Sequence, residues 1–196
     1  MNSQYIKALK SVHRSAWEGH GEFAISLVEL LCPETVVDLG VDYGFSTFCF
    51  AKPKKGTVYG VDWFQGDKHC GVRDTYSVVM KLQEDMKKEY GVDNVEIIKS
   101  RFRELASSWV KRVDILHVDG FHSYDAVKGD FSSWANHCGD DAVILFHDTV
   151  AFPDSVGRFF REIRGDFFSH NFRHSAGLGV ITRSEESFRK INPLLG

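Results

Sequence analysis

The chain has 196 residues, 43% hydrophobic and 26% charged, a length that fits one domain able to bury about 70% of its unfolded surface. Its 24 basic and 27 acidic residues leave a formal net charge of -3, which gives no electrostatic footing for nucleic acid or an anionic membrane. No apolar run approaches the roughly 20 residues of a membrane span. The N-terminus lacks the continuous apolar stretch of a signal peptide. The four cysteines, Cys32, Cys49, Cys70 and Cys138, form no C-x-x-C pair, which excludes a zinc knuckle or redox motif and points to reduced thiols in a cytoplasmic protein.

In chain order, a helix carrying Phe23, Leu27, Leu30 and Leu31 is stopped by Pro33. Thr35, Val36, Val37, Asp38 and Leu39 read as a buried strand ending at Gly40, residues 46–51 as a helix and 52–56 as a turn. A second strand over 57–62 precedes a loop over 63–73 that contains Gly66 and Gly71. Val79, Leu82, Met86 and Tyr90 mark one stripe of a long helix, and Gly91 is placed to end it. Third and fourth strands are predicted over 95–98 and 113–119. Tyr124, Val127, Phe131, Trp134 and Cys138 then recur at spacings of three and four residues, an amphipathic helix. A fully apolar fifth strand over 142–146 leads to a helix around 154–165. Two β-like runs follow, near 167–173 and 178–183, and then a tail that is a short helix or disordered. The expected organisation is a single domain over 1–196, with a helical segment over 1–33, a core over 34–183 and the tail from 184. The alternation predicts an α/β fold, a doubly wound, mostly parallel sheet with helices on both faces. Ligands of such sheets bind beyond the C-terminal strand ends.

At the first strand end, Gly40 and Gly44 allow a sharp turn and close approach of the backbone to a ligand. The helix opening near Ser46 aims N–H groups at the same place. The second strand ends in Asp62, about 20 residues past the glycine turn, where a carboxylate can accept both hydroxyl hydrogens of a ribose. Trp63 and Phe64 follow, as an apolar wall for an adenine ring or as core. Two positions after Gly40 stands Asp42, where a dinucleotide site has a glycine that admits the pyrophosphate. A carboxylate there repels phosphate and suits an ammonium, so the residue types favour S-adenosylmethionine. The fourth strand ends in His117, Asp119 and His122, and the fifth in His147 and Asp148. These acids and imidazoles form either a divalent-metal set or a metal-free polar pocket. His117 also reads as a core histidine, and His122 or Ser123 as a helix cap.

The run D-G-F-H-S-Y over 119–124, Trp134, and F-H-D-T over 146–149 resemble class I S-adenosylmethionine-dependent methyltransferases, and within them the family known as methyltransferase domain 24. Macrocin-type sugar O-methyltransferases and cephalosporin-hydroxylase-like proteins are similar more distantly. The match runs from about Glu34 to Thr149. The resemblance implies a Rossmann-like seven-stranded sheet with an antiparallel last strand. It implies that Gly40, Gly44 and Ser46 line the methionine end of the cofactor, Asp62 the ribose, and Ser100, Arg101 and Phe102 the adenine edge. Asp38, Asp42 and Trp63 are assigned to the cofactor with them. It further implies a metal, magnesium, manganese or similar, on Asp119 and Asp148, with His147 standing where the relatives carry an acid.

The resulting expectation is a metal-assisted O-methyltransferase for a small hydroxylated acceptor: a sugar, polyol or phenol. Asp119 or His122 is the expected general base, and the aromatic segment over 151–160 is the expected roof of the acceptor. A nicotinamide-dependent oxidoreductase, a non-catalytic S-adenosylmethionine-binding module and a metal-dependent hydrolase or hydroxylase remain as alternatives. Assembly into a homo-oligomer is left open.

Overall fold

The computed structural model describes residues 2–67 and 71–196. Cys70 and the middle of the predicted 63–73 loop lie outside the described residues. Helices α1 (Asn2–Val12) and α2 (Gly21–Leu31) lead into β1 (Thr35–Leu39), α3 (Phe45–Ala51) and β2 (Thr57–Asp62). After β3 (Gly66–Asp67) and β4 (Gly71–Val72) come α4 (Tyr76–Tyr90), β5 (Val95–Lys99) and α5 (Phe102–Ala106). The chain continues through β6 (Val113–Val118), α6 (Tyr124–Trp134), β7 (Cys138–His147) and α7 (Val156–Ile163), and closes with β8 (Phe168–Phe172), β9 (Leu178–Thr182) and α8 (Glu185–Ile191).

The seven-stranded sheet has the order β5-β2-β1-β6-β7-β9-β8. β5, β2, β1, β6 and β7 pair in parallel, whereas β9 runs antiparallel to both of its neighbours. The doubly wound sheet with an antiparallel last strand is therefore present as expected. The side-chain period of two explains the layering. Val36, Val58, Ile115, Leu145 and Val180 face a core built with α1, α2, α3, α4 and α8. Their neighbours Val37, Tyr59, Leu116, Phe146 and Ile181 face one built with α5, α6 and α7. Strands covered on both faces read as continuous apolar runs, which is why β1, β6 and β7 were legible.

Three elements differ from expectation. The apolar stripe predicts a helix reaching Cys138, but α6 ends at Trp134, a 3-10 turn spans Ala135–His137, and Cys138 opens β7. Cys138 still packs against the core containing Trp134, so helical spacing and a strand start satisfied the same contact. The predicted 63–73 loop contains the antiparallel pair β3–β4. The tail forms α8, whose N-terminus is capped by Ser184 Oγ accepting from Ser187 N at 3.1 Å, and Ile191 and Leu195 bury themselves in the core. No helix among the described residues is long and apolar enough to cross a membrane.

Candidate active site

The C-terminal ends of β1, β2, β6 and β7 open onto one cleft of about 720 Å³, a size typical of small-molecule sites. Its floor is backbone. Gly40 N donates to Val61 O at 2.9 Å, tying the end of β1 to β2, and Asp119 N donates to Leu39 O at 2.8 Å, tying the residue after β6 to β1. Gly40 has φ +110°, and a Cβ there would collide with the Asp119 carbonyl. The close approach of these two strand ends thus requires glycine.

Asp62 stands on the cleft wall. Its carboxylate accepts from Phe64 N at 2.7 Å and from Asp42 N at 3.0 Å. Burial raises its pKa, and these backbone donors pull it back. An ionised carboxylate offers about four lone-pair positions, so capacity for hydroxyl donors remains. Trp63 faces the cleft, with the Arg101 guanidinium 4.8 Å from its ring centroid. Phe64 turns inward against Tyr76 and is core. Ser100, Arg101 and Phe102 also line the cleft.

Asp42 lies on the cleft, but its carboxylate is held by Arg73 at 2.6 Å. Arg73 also covers the Tyr43 ring, which stacks on His13 with centroids 3.9 Å apart. The acid that sequence reasoning reserved for an ammonium is therefore already paired with a guanidinium. Sequence spacing gave no sign of Arg73.

Asp38 and Gly44 do not line the cleft. Asp38 is fully buried and accepts from Ser46 Oγ at 2.8 Å, Thr47 Oγ1 at 2.6 Å and His117 Nδ1 at 2.6 Å. Trp17 Nε1 donates to His117 Nε2 at 3.0 Å, which leaves the imidazole proton on Nδ1, facing Asp38. A buried carboxylate without such donors would be costly. Here three donors let it clamp the start of α3 against β1 and β6, behind the cleft. Ser46 reaches the cleft wall with its hydroxyl already committed to this clamp. Replacing Trp17 with Phe strands His117 Nε2 in the core and lowers stability by about 1–3 kcal/mol, measurable by urea denaturation; an unchanged urea midpoint would remove the clamp from the account.

At the other end, ligand atoms of Asp119, His122 and Asp148 all lie within 4.8 Å of one another. His122 Nε2 is 2.8 Å from Asp148 Oδ2 and 4.0 Å from Asp119 Oδ1, and its ring stacks on Phe152 at 4.3 Å. His147, expected as a ligand, sits beside this group. Its Nδ1 is 3.3 Å from Asp119 Oδ1, and its Nε2 is 3.1 Å from the Ser175 carbonyl. The Ser175 carbonyl faces one ring nitrogen and Asp119 the other, which favours the imidazolium beside these acids. Burial opposes that charge, yet Asp119 and Asp148 push the His147 pKa up to about 10. Burial likewise works against the Asp148 carboxylate, and His122 and His147 hold it well below the usual range. Of the predicted aromatic roof, Phe152 covers His122, whereas Phe159 and Phe160 are core.

Sequence reasoning also missed residues 13–17, which follow α1 and line the cleft, and Asp130 on α6. No local periodicity marks 13–17. Asp130 did leave a trace, since it falls on the apolar face shared by Val127 and Trp134.

This sheet order, with glycine turn and strand-end acids around one cleft, is the architecture of class I S-adenosylmethionine-dependent methyltransferases. Residues 37–149 match the model of a family described as a methyltransferase domain, and the chain belongs to that family. An uncharacterized protein of Sinorhizobium fredii, y4gI, is 34% identical over 190 residues, covering 92% of this chain. The chain spans 20% of the length of that relative. Among solved structures, the SAH-bound methyltransferase PaMTH1 of Podospora anserina superposes with a TM-score of 0.67 at 12% identity, over 93% of this chain and 87% of the other. A putative O-methyltransferase from Klebsiella pneumoniae gives 0.67 at 16% identity, over 92% and 94%. At these identities the likeness is one of fold.

Proposed function

We propose that the chain transfers a methyl group from S-adenosylmethionine to a hydroxyl of a small acceptor, a sugar, polyol or phenol, with a divalent cation assisting. The observation that carries this reading is a single cleft that brings Asp62 and the Gly40 turn together with Asp119, His122 and Asp148.

The residues fit the cofactor. Asp62 and Asp119 face the cleft, and their carboxylates accommodate the hydroxyls and the cationic groups of a phosphate-free nucleoside. In this reading Asp62 accepts the ribose hydroxyls, Trp63 and Phe102 flank the base, and the Gly40 turn leaves room for the amino-acid end. The bound sulfonium supplies an electrophilic methyl group, so the protein's contribution is largely aim and exclusion of water.

The donor set also fits a cation. Asp119, His122 and Asp148 would hold it, and bound there it would lower the pKa of a coordinated hydroxyl. One imidazole among carboxylates favours manganese or another transition ion over magnesium, which prefers oxygen. Asp119 orients the acceptor and takes its proton, while His147 holds the Asp119 carboxylate in place. Phe152 excludes water from His122.

Calorimetry with S-adenosylhomocysteine and with NAD, followed by labelled-methyl assays before and after EDTA treatment, tests the reading. Heat with the first ligand alone, and activity lost on chelation and restored by manganese, is the expected result. No heat with S-adenosylhomocysteine from folded protein would overturn the cofactor assignment, and chelator-resistant methyl transfer would overturn the metal.

A further inference from the structure

Asp130 is a carboxylate in the wrong place for a surface charge. It sits on α6 with 8% of its area exposed, on the face that also carries Val127 and Trp134 into the core. Among the described residues no hydrogen bond reaches its carboxylate. Its charged partner among the described residues, Arg103, stands with Nε 3.8 Å away, beyond hydrogen-bonding distance. The Arg103 side chain is 60% exposed and donates instead to the Asp125 carbonyl at 3.2 Å. Burial raises the Asp130 pKa to about 6 against the pull of Arg103, so at neutral pH the group is mostly an acceptor-only carboxylate. A buried anion that lacks donors is expensive. The carboxylate borders the cleft, where a bound ligand can bring the donor.

The position says which ligand. Asp130 lines the same cleft as Ser100, Phe102 and Gly120. A Cβ built on Gly120 would meet the Phe102 ring at 2.6 Å and Asp130 Oδ2 at 3.1 Å, so the ring edge, the bare glycine backbone and the carboxylate converge at one point. This point is on the Phe102 side of the cleft, where the nucleobase lies if Asp62 holds the ribose. The only strong donor that an adenine presents on its outer edge is its exocyclic 6-amino group.

We propose that Asp130 accepts a hydrogen bond from the 6-amino group of the bound adenine and makes the site selective for adenosyl over 6-oxo cofactors. This rests on the cofactor assignment above. A 6-oxo base turns a carbonyl lone pair toward the carboxylate, which leaves an anion unpaired and adds repulsion.

Calorimetry with two probes, S-adenosylhomocysteine and its deaminated S-inosyl counterpart, tests the proposal on wild type, Asp130→Ala and Asp130→Asn. Wild type binds the adenosyl compound about 100-fold more tightly, the scale of one charge-assisted hydrogen bond. Asp130→Ala brings the two affinities within about threefold. Asp130→Asn, nearly the same shape and able to turn its amide toward an oxygen, narrows or inverts the preference, and it serves as the folded variant should the alanine protein fail to fold. Equal binding of both probes by wild type, or wild-type discrimination retained in a folded variant, overturns the proposal while leaving the cofactor assignment intact. Binding of neither probe to wild type overturns that assignment and this proposal with it.

Discussion

Asn in place of Asp119 lowers kcat by about 10³-fold, within the range for loss of a positioned general base, and changes S-adenosylhomocysteine affinity by less than about threefold. The side chain is well placed for this split. Its backbone N–H closes the junction with Leu39 and is untouched by the substitution. Its carboxylate faces His122 and the His147 imidazolium, on the acceptor side of the cleft. Asn keeps the shape but removes the charge, and with it both the proton acceptor and one cation ligand. The partner left behind is a buried imidazolium with a weaker counter-charge, so a modest loss of thermal stability accompanies the loss of turnover. Labelled-methyl kinetics and calorimetry on one preparation check both halves. A fall in affinity that parallels the fall in kcat would refute the division of the cleft into cofactor and acceptor halves.

The second large effect is at Asp62, where Ala reduces S-adenosylhomocysteine affinity about 100-fold or more, the sum expected for hydrogen bonds from hydroxyls to a charged acceptor. Asn is not the gentler choice here. Both carboxylate oxygens already accept backbone N–H groups, from Phe64 and from Asp42, so an amide NH₂ must face a donor on one side whichever way it is turned. Asn therefore damages the turn itself, and its defect in binding matches or exceeds that of Ala. Ala also strips Phe64 N and Asp42 N of their acceptor, so thermal denaturation of both variants reports the loss of the turn and calorimetry the loss of binding. Wild-type affinity in Asp62→Ala would show that no ribose is held there.

The two sites were unequally legible. Asp62, Trp63 and the Ser100, Arg101, Phe102 group lie at strand ends, and a strand end can be read from where an apolar run stops. The cleft position of Asp62 and Trp63 followed from topology, and that of Ser100, Arg101 and Phe102 from the family resemblance. Asp38 lies on an equally readable strand, yet it points into the core because His117, Ser46 and Thr47 happen to supply three donors behind the glycine turn. His147 and His122 were indistinguishable as candidates in sequence. The Ser175 carbonyl, brought in by the turn between β8 and β9, meets Nε2 of His147, while His122 gathers with Asp119 and Asp148. Asp130 was the one overlooked residue with a visible signal, since an acid on the apolar stripe of a helix contradicts the pattern around it.

Periodicity and strand-end chemistry by themselves determined the α/β architecture, the strands that form its centre, and the gathering of a glycine turn and strand-end acids at one cleft. Those features depend on local spacing and on a topology that parallel strands all but impose. Tertiary structure alone decided which polar groups are spent on one another and which are left for a ligand. Arg73 on Asp42, Trp17 on His117 and Ser175 on His147 join residues 31, 100 and 28 positions apart. A hydrogen bond acts over about 3 Å of space, and no local pattern in a chain encodes which distant partner will arrive there.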